Sequence, residues 1–314
     1  MTVREVFDLR KQGKIEEAYE AIRPMYAVHK GKYTTLCMFW TASDILKKRV
    51  LEGRLDEAER IFEALLRILP HIEDKEGRAL SSILHEAVLL DREIKTFSML
   101  DFVERLRVER LSEKDWEAVA SPAVADTLGH PIPSVAQQLL ICAFHEIQEE
   151  PTVDNALKVM PLLQEAVHRH SHNQDYLLRV AMVYRIMGER EKAAGVYQQL
   201  LRRYHDSGLY AELADLTDDA DQKAALFCQA IRNERQEKDR TDFRLELARL
   251  LIDRDGPKAA YELQKCVTTR KALGFDVTPE MQQMLRQLSG VQPVTDAAQQ
   301  EFYKKMAEKY ATKY

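Results

Sequence analysis

Glycine and proline are scarce in this chain, 11 and 10 residues among 314, which argues against a fold of many short strands and turns and favours helices. No apolar run reaches 18 residues, so a membrane-spanning helix is not expected. The N-terminus has no apolar stretch of leader type; it enters directly into the charged, amphipathic segment 3–10, and a soluble, cytoplasmic protein is expected. Four cysteines, Cys37, Cys142, Cys228 and Cys266, lie far apart with no CxxC pair. Each sits in an apolar context and reads as a small reduced core residue. Charge of one sign is also missing: 46 Lys+Arg stand against 51 Asp+Glu, interspersed, so no global field favours nucleic acid or an anionic membrane. Signatures of catalysis (GxSxG, a Walker glycine loop, HExxH) are absent too.

What is present is a repeated phrase. Gly53-Arg54-Leu55-Asp56-Glu57-Ala58 is followed by Phe62 and Pro70. The glycine ends one helix, the alanine lets a second approach it closely, the aromatic lies one turn on over the same face, and the proline stops the run. The phrase returns at Gly13 with Ala18 and Ile22, and at Gly188 with Ala193 and Tyr197. Apolar residues recur at three and four almost throughout. Helix pairs are expected over 2–12 with 14–29 and over 33–51 with 54–69. One long helix or two should follow over 74–110, and Ser112 with Asp115 has capping-box spacing. Pro122, Gly129, Pro131 and Pro133 interrupt the pattern. Beyond them small residues recur at Ala156, Ala193, Ala224 and Ala259, spaced by 37, 31 and 35 residues. Thr278 before Pro279 starts a further helix. The expected organisation is N-terminal helix pairs over 1–110, an irregular connection over 111–133, C-terminal pairs over 134–290, and a capping helix over 291–314. In that last helix Phe302, Met306 and Tyr310 form the stripe expected to cover the array's end, or to pair two copies as a homodimer.

These residues resemble the tetratricopeptide repeat superfamily, whose period is roughly 34 residues. The fullest unit is Leu177-x2-Val180-Ala181-x2-Tyr184 with Ala193-x3-Tyr197, and Leu247-Ala248-x2-Leu251 with Ala259-x3-Leu263 is a second. Before Gly53 the aromatic position of the first helix is Arg49 instead. The resemblance implies an all-α fold, a right-handed α-α superhelix (TPR-like solenoid) of antiparallel helix pairs. It further implies a groove lined by first helices that takes an extended peptide or an amphipathic helix of a partner protein. Carried across, the groove positions are Gln138, Ile141 and His145, then Asp175, Leu178, Met182 and Arg185, then Asp242, Leu245 and Arg249. Apolar residues among single charges of both signs suit an amphipathic partner. The Lys/Asn/Arg pattern that clamps a C-terminal carboxylate in some members is not found. The function this implies is a non-enzymatic scaffold or adaptor without a cofactor.

Other features carry rival readings. His168, His170 and His172 could supply imidazoles to a metal, but residues two apart on a helix point to different sides, and histidines also suit a helix C-terminus. Lys47-Lys48-Arg49 with Arg54 is one basic cluster; Lys304, Lys305, Lys309 and Lys313 interleaved with tyrosines is another. The second would fit a regulatory subunit of a nucleic-acid-handling system. Glu301 and Glu308 partly neutralise it, so a solvated face is the better reading. Phe39 and Trp40 are adjacent and cannot both face one core stripe. One belongs to the core and Trp40 is a candidate aromatic anchor for a partner.

Overall fold

The computed structural model describes residues 1–73, 76–118 and 132–311. Among them no strand occurs, and seventeen α-helices follow one another in chain order. Two compact units divide the chain, Met1–Ala166 and Val167–Tyr314. The expected irregular connection at 111–133 falls inside the first unit; Pro122, Gly129 and Pro131 lie outside the described residues.

The first unit opens with α1 (Val3–Lys11) and α2 (Ile15–Val28), then α3 (Lys32–Leu51) and α4 (Leu55–Ile68). Each pair packs together, and α2 also packs on α3. The stretch expected as one or two helices resolves into α5 (Arg78–Glu93) and the short α6 (Met99–Arg105). Ser112 donates its backbone N–H to Asp115 at 2.8 Å, as its spacing suggests, yet α7 is a single turn (Glu113–Trp116). Next come α8 (Val135–Glu149), which packs on α5, α6 and α7, and α9 (Val153–Arg169), within which the two units divide.

In the second unit α10 (Gln174–Ile186) pairs with α11 (Arg190–Leu201), α12 (Ser207–Asp215) with α13 (Ala220–Asn233), and α14 (Thr241–Leu251) with α15 (Gly256–Ala272). Two helices close it, α16 (Pro279–Gln287) and α17 (Asp296–Met306), the latter continued by a π-type turn over Ala307–Ala311. Thr278 caps α16 by accepting the Met281 N–H, and Pro279 occupies the first position, where its missing donor costs nothing.

The repeated phrase has a repeated geometry. Gly13, Gly53 and Gly188 take φ of 77°, 71° and 75°, the left-handed region where a Cβ is penalised. The next residues, Lys14, Arg54 and Glu189, sit at φ/ψ of −81°/61°, −86°/62° and −80°/60°. Each of these donates its N–H five residues back, to Leu9, Arg49 and Tyr184, which closes a Schellman turn. Four residues beyond each donor come Ala18, Ala58 and Ala193, all fully buried, and one turn later Ile22, Phe62 and Tyr197 are buried as well. The α14–α15 turn, one residue shorter, departs from this. Asp255 replaces the glycine device and caps α15 by accepting the Lys258 N–H.

Two expectations are corrected. Cys37, Cys228 and Cys266 are buried thiols, but Cys142 is only half-buried on α8; burial and the neighbouring Asp91 carboxylate push its thiol up to about 12. On α17 the side chains turned fully inward are Gln299 and Tyr303, followed by Ala307, not Phe302, Met306 and Tyr310. The stripe named from sequence lies one residue off the buried face, and Phe302 and Met306 pack half-buried against the core. Tyr310 donates to Asp221 of α13 at 3.0 Å. Packing of α17 on α13 thus employs this helix within its own unit.

Candidate functional site

The positions expected to line a groove are half-buried or exposed on the first helices. On α10, Leu178 and Met182 are half-buried while Asp175 and Arg185 are exposed, four residues on one face. On α14, Leu245 is half-buried with Asp242 and Arg249 exposed, and on α8, Gln138 and Ile141 are half-buried with His145 exposed. Two of the charges are already engaged within the fold. Arg185 pairs with Glu212 of α12, and Arg249 pairs with Glu280 of α16 and with Glu246. These pairs stitch one first helix to the next. Of the half-buried apolar side chains beside them, Leu178 and Leu245 rest against the second-unit core.

In the first unit the first helices are joined in the same manner. Arg10 of α1 bridges to Asp44 of α3 and stacks over the Trp40 ring at 5.7 Å. Phe39 is fully buried and Trp40 is half-buried, edge-on to it with centroids 5.2 Å apart. The sequence argument about this adjacent pair is met: one ring is core, and the other lies at the surface beneath an arginine. From α3 to α5 the link is a buried carboxylate. Glu86 is fully buried and accepts from Ser43 and, at 3.1 Å, from Ser82, with the Lys47 ammonium 3.6 Å away. Burial raises its pKa against the pull of those donors.

The basic cluster at 47–54 is not a basic patch. Arg49 is buried and donates to both carboxylate oxygens of Glu16 at 2.6 and 2.9 Å, and also to Glu52 and Glu57. Lys48 pairs with Glu16, and Arg54 with Glu57. Arg49 occupies the position that is Tyr184 in the α10–α11 turn, and it replaces an aromatic contact by ion pairs to the second helices on either side. Its hydrogen bond holds the Glu16 carboxyl down at about 2.

His168, His170 and His172 are all exposed at the end of α9 and beyond it. His172 Nδ1 lies 2.7 Å from the Arg203 guanidinium, and among the described residues no group of His, Cys, Asp or Glu is placed to hold a metal ion. No described helix is long and apolar enough to cross a membrane.

Sequence reasoning missed two features. One is a hollow of about 840 Å³ in the first unit, between the C-terminal end of α2, the start of α3 and the end of α4. Tyr26, Met38, Ala64 and Ile68 contribute its apolar wall; Lys30, Lys32, Arg67 and His71 contribute its polar one. The residues come from three separate segments, and only the packing of α2 and of α4 on α3 assembles them. The other feature is a buried polar node in the second unit. Arg244 of α14 donates to Glu262 of α15 at 2.7 Å and lies 3.0 Å from the Tyr303 hydroxyl, while Gln299 and Tyr303 of α17 both donate to Glu262.

Residues 176–309 match a family described as a domain of unknown function (DUF7017). No curated protein matches the chain. Among solved structures, it is similar to the crystal structure of a tetratricopeptide repeat protein from Parabacteroides merdae. That alignment has 14% identity and a TM-score of 0.36, and it covers 92% of this chain and 97% of the other.

Proposed function

We propose that the protein is a non-enzymatic scaffold that holds a peptide or amphipathic helix of a partner protein against its first helices. The observation that supports this most is the stripe on α10. Leu178 and Met182, half-buried, lie between the exposed Asp175 and Arg185 on a helix whose adjoining side, with Leu177 and Ala181, is committed to the core, and against that core Leu178 rests part of its surface. A methionine and a leucine in such a setting form an adaptable apolar surface for a partner helix. The repeated turns add to the reading, because like hairpins within a unit present their first helices in like fashion. Nucleic acid is a poorer fit: the basic residues singled out at 47–54 are consumed by glutamates, and Lys304 and Lys305 face Glu308 and Glu301.

The test compares partner capture from the native source by the wild type and by a Leu178→Ala/Met182→Ala double variant that keeps the α-helical circular dichroism. The expected result is loss of a stoichiometric, nuclease-resistant protein partner with the fold intact. Undiminished capture by the folded variant sinks this reading of α10.

A further inference from the structure

We infer that the hollow between α2, α3 and α4 is a docking site for an acidic peptide segment that carries one bulky apolar side chain. The inference rests on the protein-binding reading above and adds to it a second site, on the opposite ends of the helices from the Gly53 turn and with a defined chemistry of partner. At about 840 Å³ the hollow is of the size that ligand sites occupy, roughly 300–1,000 Å³. Among the described residues no carboxylate lines it. Its apolar wall is anchored: Met38 and Ile68 are buried core residues whose remaining surface faces the hollow, so an inserted aliphatic or aromatic side chain meets a fixed contact.

The charges around that wall come from separate segments. Lys30 stands in the α2–α3 connection, 5.7 Å over the Tyr26 ring, and Arg67 is near the end of α4 with its Nε bonded to the Glu63 carbonyl oxygen. Among the described residues neither forms an ion pair within hydrogen-bond distance; the nearest carboxylate to act on Arg67 is Glu63, whose oxygens are held by Arg105. Lys32 is bridged to Glu73, but both side chains are more than 60% exposed, and such a pair exchanges at little cost. Beside it, across the Leu69–Pro70 turn, a smaller hollow of about 150 Å³ repeats the chemistry, with Leu66, Leu80 and Phe102 inside and Arg105, Arg107 and Arg110 at its edge. Arg105 is engaged by Glu63; among the described residues Arg107 and Arg110 have no carboxylate partner.

Single cations spread around an apolar wall match carboxylates spaced along a peptide on either side of an apolar anchor. A phosphate group is met differently, by convergent backbone N–H groups and forked guanidinium pairs. Here one arginine and two lysines stand apart on different elements, which favours the peptide.

The test is fluorescence anisotropy with a labelled peptide of Asp and Glu residues around a central Leu-Phe pair. A Lys-for-acid version of that peptide and a single-stranded oligothymidylate serve as competing probes. The wild-type chain is expected to bind the acidic peptide, more weakly as salt rises, and to ignore the other two. Lys30→Glu/Arg67→Glu, at two exposed positions, should weaken binding by about tenfold or more, since it turns two attractions into repulsions. Ala64→Trp, which fills the hollow without altering charge, should do the same. Absence of binding by the wild type, or indifference to both variants, overturns the inference. So does tighter binding of the oligothymidylate. Because Leu178 and Met182 lie in the other unit, their double variant should leave this peptide's affinity unchanged. A scaffold that loses its partner through α10 while the acidic peptide never binds would therefore refute the hollow alone.

Discussion

Arg49 and Arg244 are the two buried arginines among the described residues, each on the first helix of a pair, and they differ in what surrounds them. The partners of Arg49 (Glu16, Glu52 and Glu57) keep 37 to 40% of their side-chain surface in water. Arg244 pairs on one side with Glu237, 42% exposed, but on the other it faces Glu262, which has none, and that inner node is completed by Gln299 and Tyr303, both fully buried. Arg49 therefore joins successive helix pairs at a wetted edge. Arg244 ties the last helix, α17, onto the body of the second unit by a desolvated network. The same guanidinium chemistry is a clip in one place and a bolt in the other, because solvent screens every pair of the first but not the Glu262 pair of the second.

The largest effect expected is at the bolt. Arg244→Ala leaves Glu262 buried without its counter-charge and should cost about 3–5 kcal/mol by urea unfolding. It should also expose the segment ahead of α17 to limited proteolysis. Arg244→Met with Glu262→Leu removes both charges and should recover much of that loss. A double variant as unstable as the single one would mean that the node's value lies elsewhere than in charge pairing.

Arg49→Ala should cost less, about 1–2 kcal/mol, because its glutamates regain water. Its cost should shrink as salt is raised. Restoring the repeat's aromatic with Arg49→Tyr sharpens the comparison. It should not rescue stability, since Glu16 and Glu57 remain gathered around the site.

Glycine offers a contrast of similar size within one helical hairpin. Gly188 is held at φ of 75°, and Gly188→Ala should destabilise the second unit by about 1 kcal/mol. Gly195, inside α11 with open space where a Cβ would go, should gain about 0.5–1 kcal/mol on Gly195→Ala. Thermal unfolding of the two variants should move in opposite directions.

The smallest effects are those of pH, and the two nodes should give opposite signs. Glu16 is depressed from 4.5 to about 2, so its contribution is fully present above about 4.5 and is lost as pH falls through about 2. Its exposure keeps that contribution small. Burial, set against Arg244, raises the Glu262 carboxyl, so the folded state binds the proton more readily than the unfolded chain. Its contribution works against stability as pH rises above 4.5. Glu262→Gln should accordingly flatten the profile above 4.5, and Glu16→Gln the profile below it.

Legibility in the sequence followed locality. The three glycine turns, the alanines behind them and the helix pairs they join involve residues within a turn or two of one another, and the spacing alone placed them. The adjacency of Phe39 and Trp40 was likewise enough to divide them between core and surface. Arg49 was visible as the wrong residue in an aromatic slot. What was not visible is that Glu16 and Glu57 would converge on it from two different helices. The face of α17 was misjudged by one residue because Phe302, Met306 and Tyr310 look more apolar than Gln299 and Tyr303. Pairing with Glu262, 37 and 41 residues away, decided the matter. The hollow was illegible for the same reason, since its lining is drawn from α2, α3 and α4 and has no period.

The central claim, that first-helix stripes receive a protein partner, is tested most directly by placing a photo-crosslinking amino acid at Met182 of α10 and, as a control, at the exposed Gln199 of α11. Irradiation in the native host should join a defined partner protein to position 182 and not to 199. Equal crosslinking from both positions, or none from 182 while the protein is folded and abundant, would contradict it.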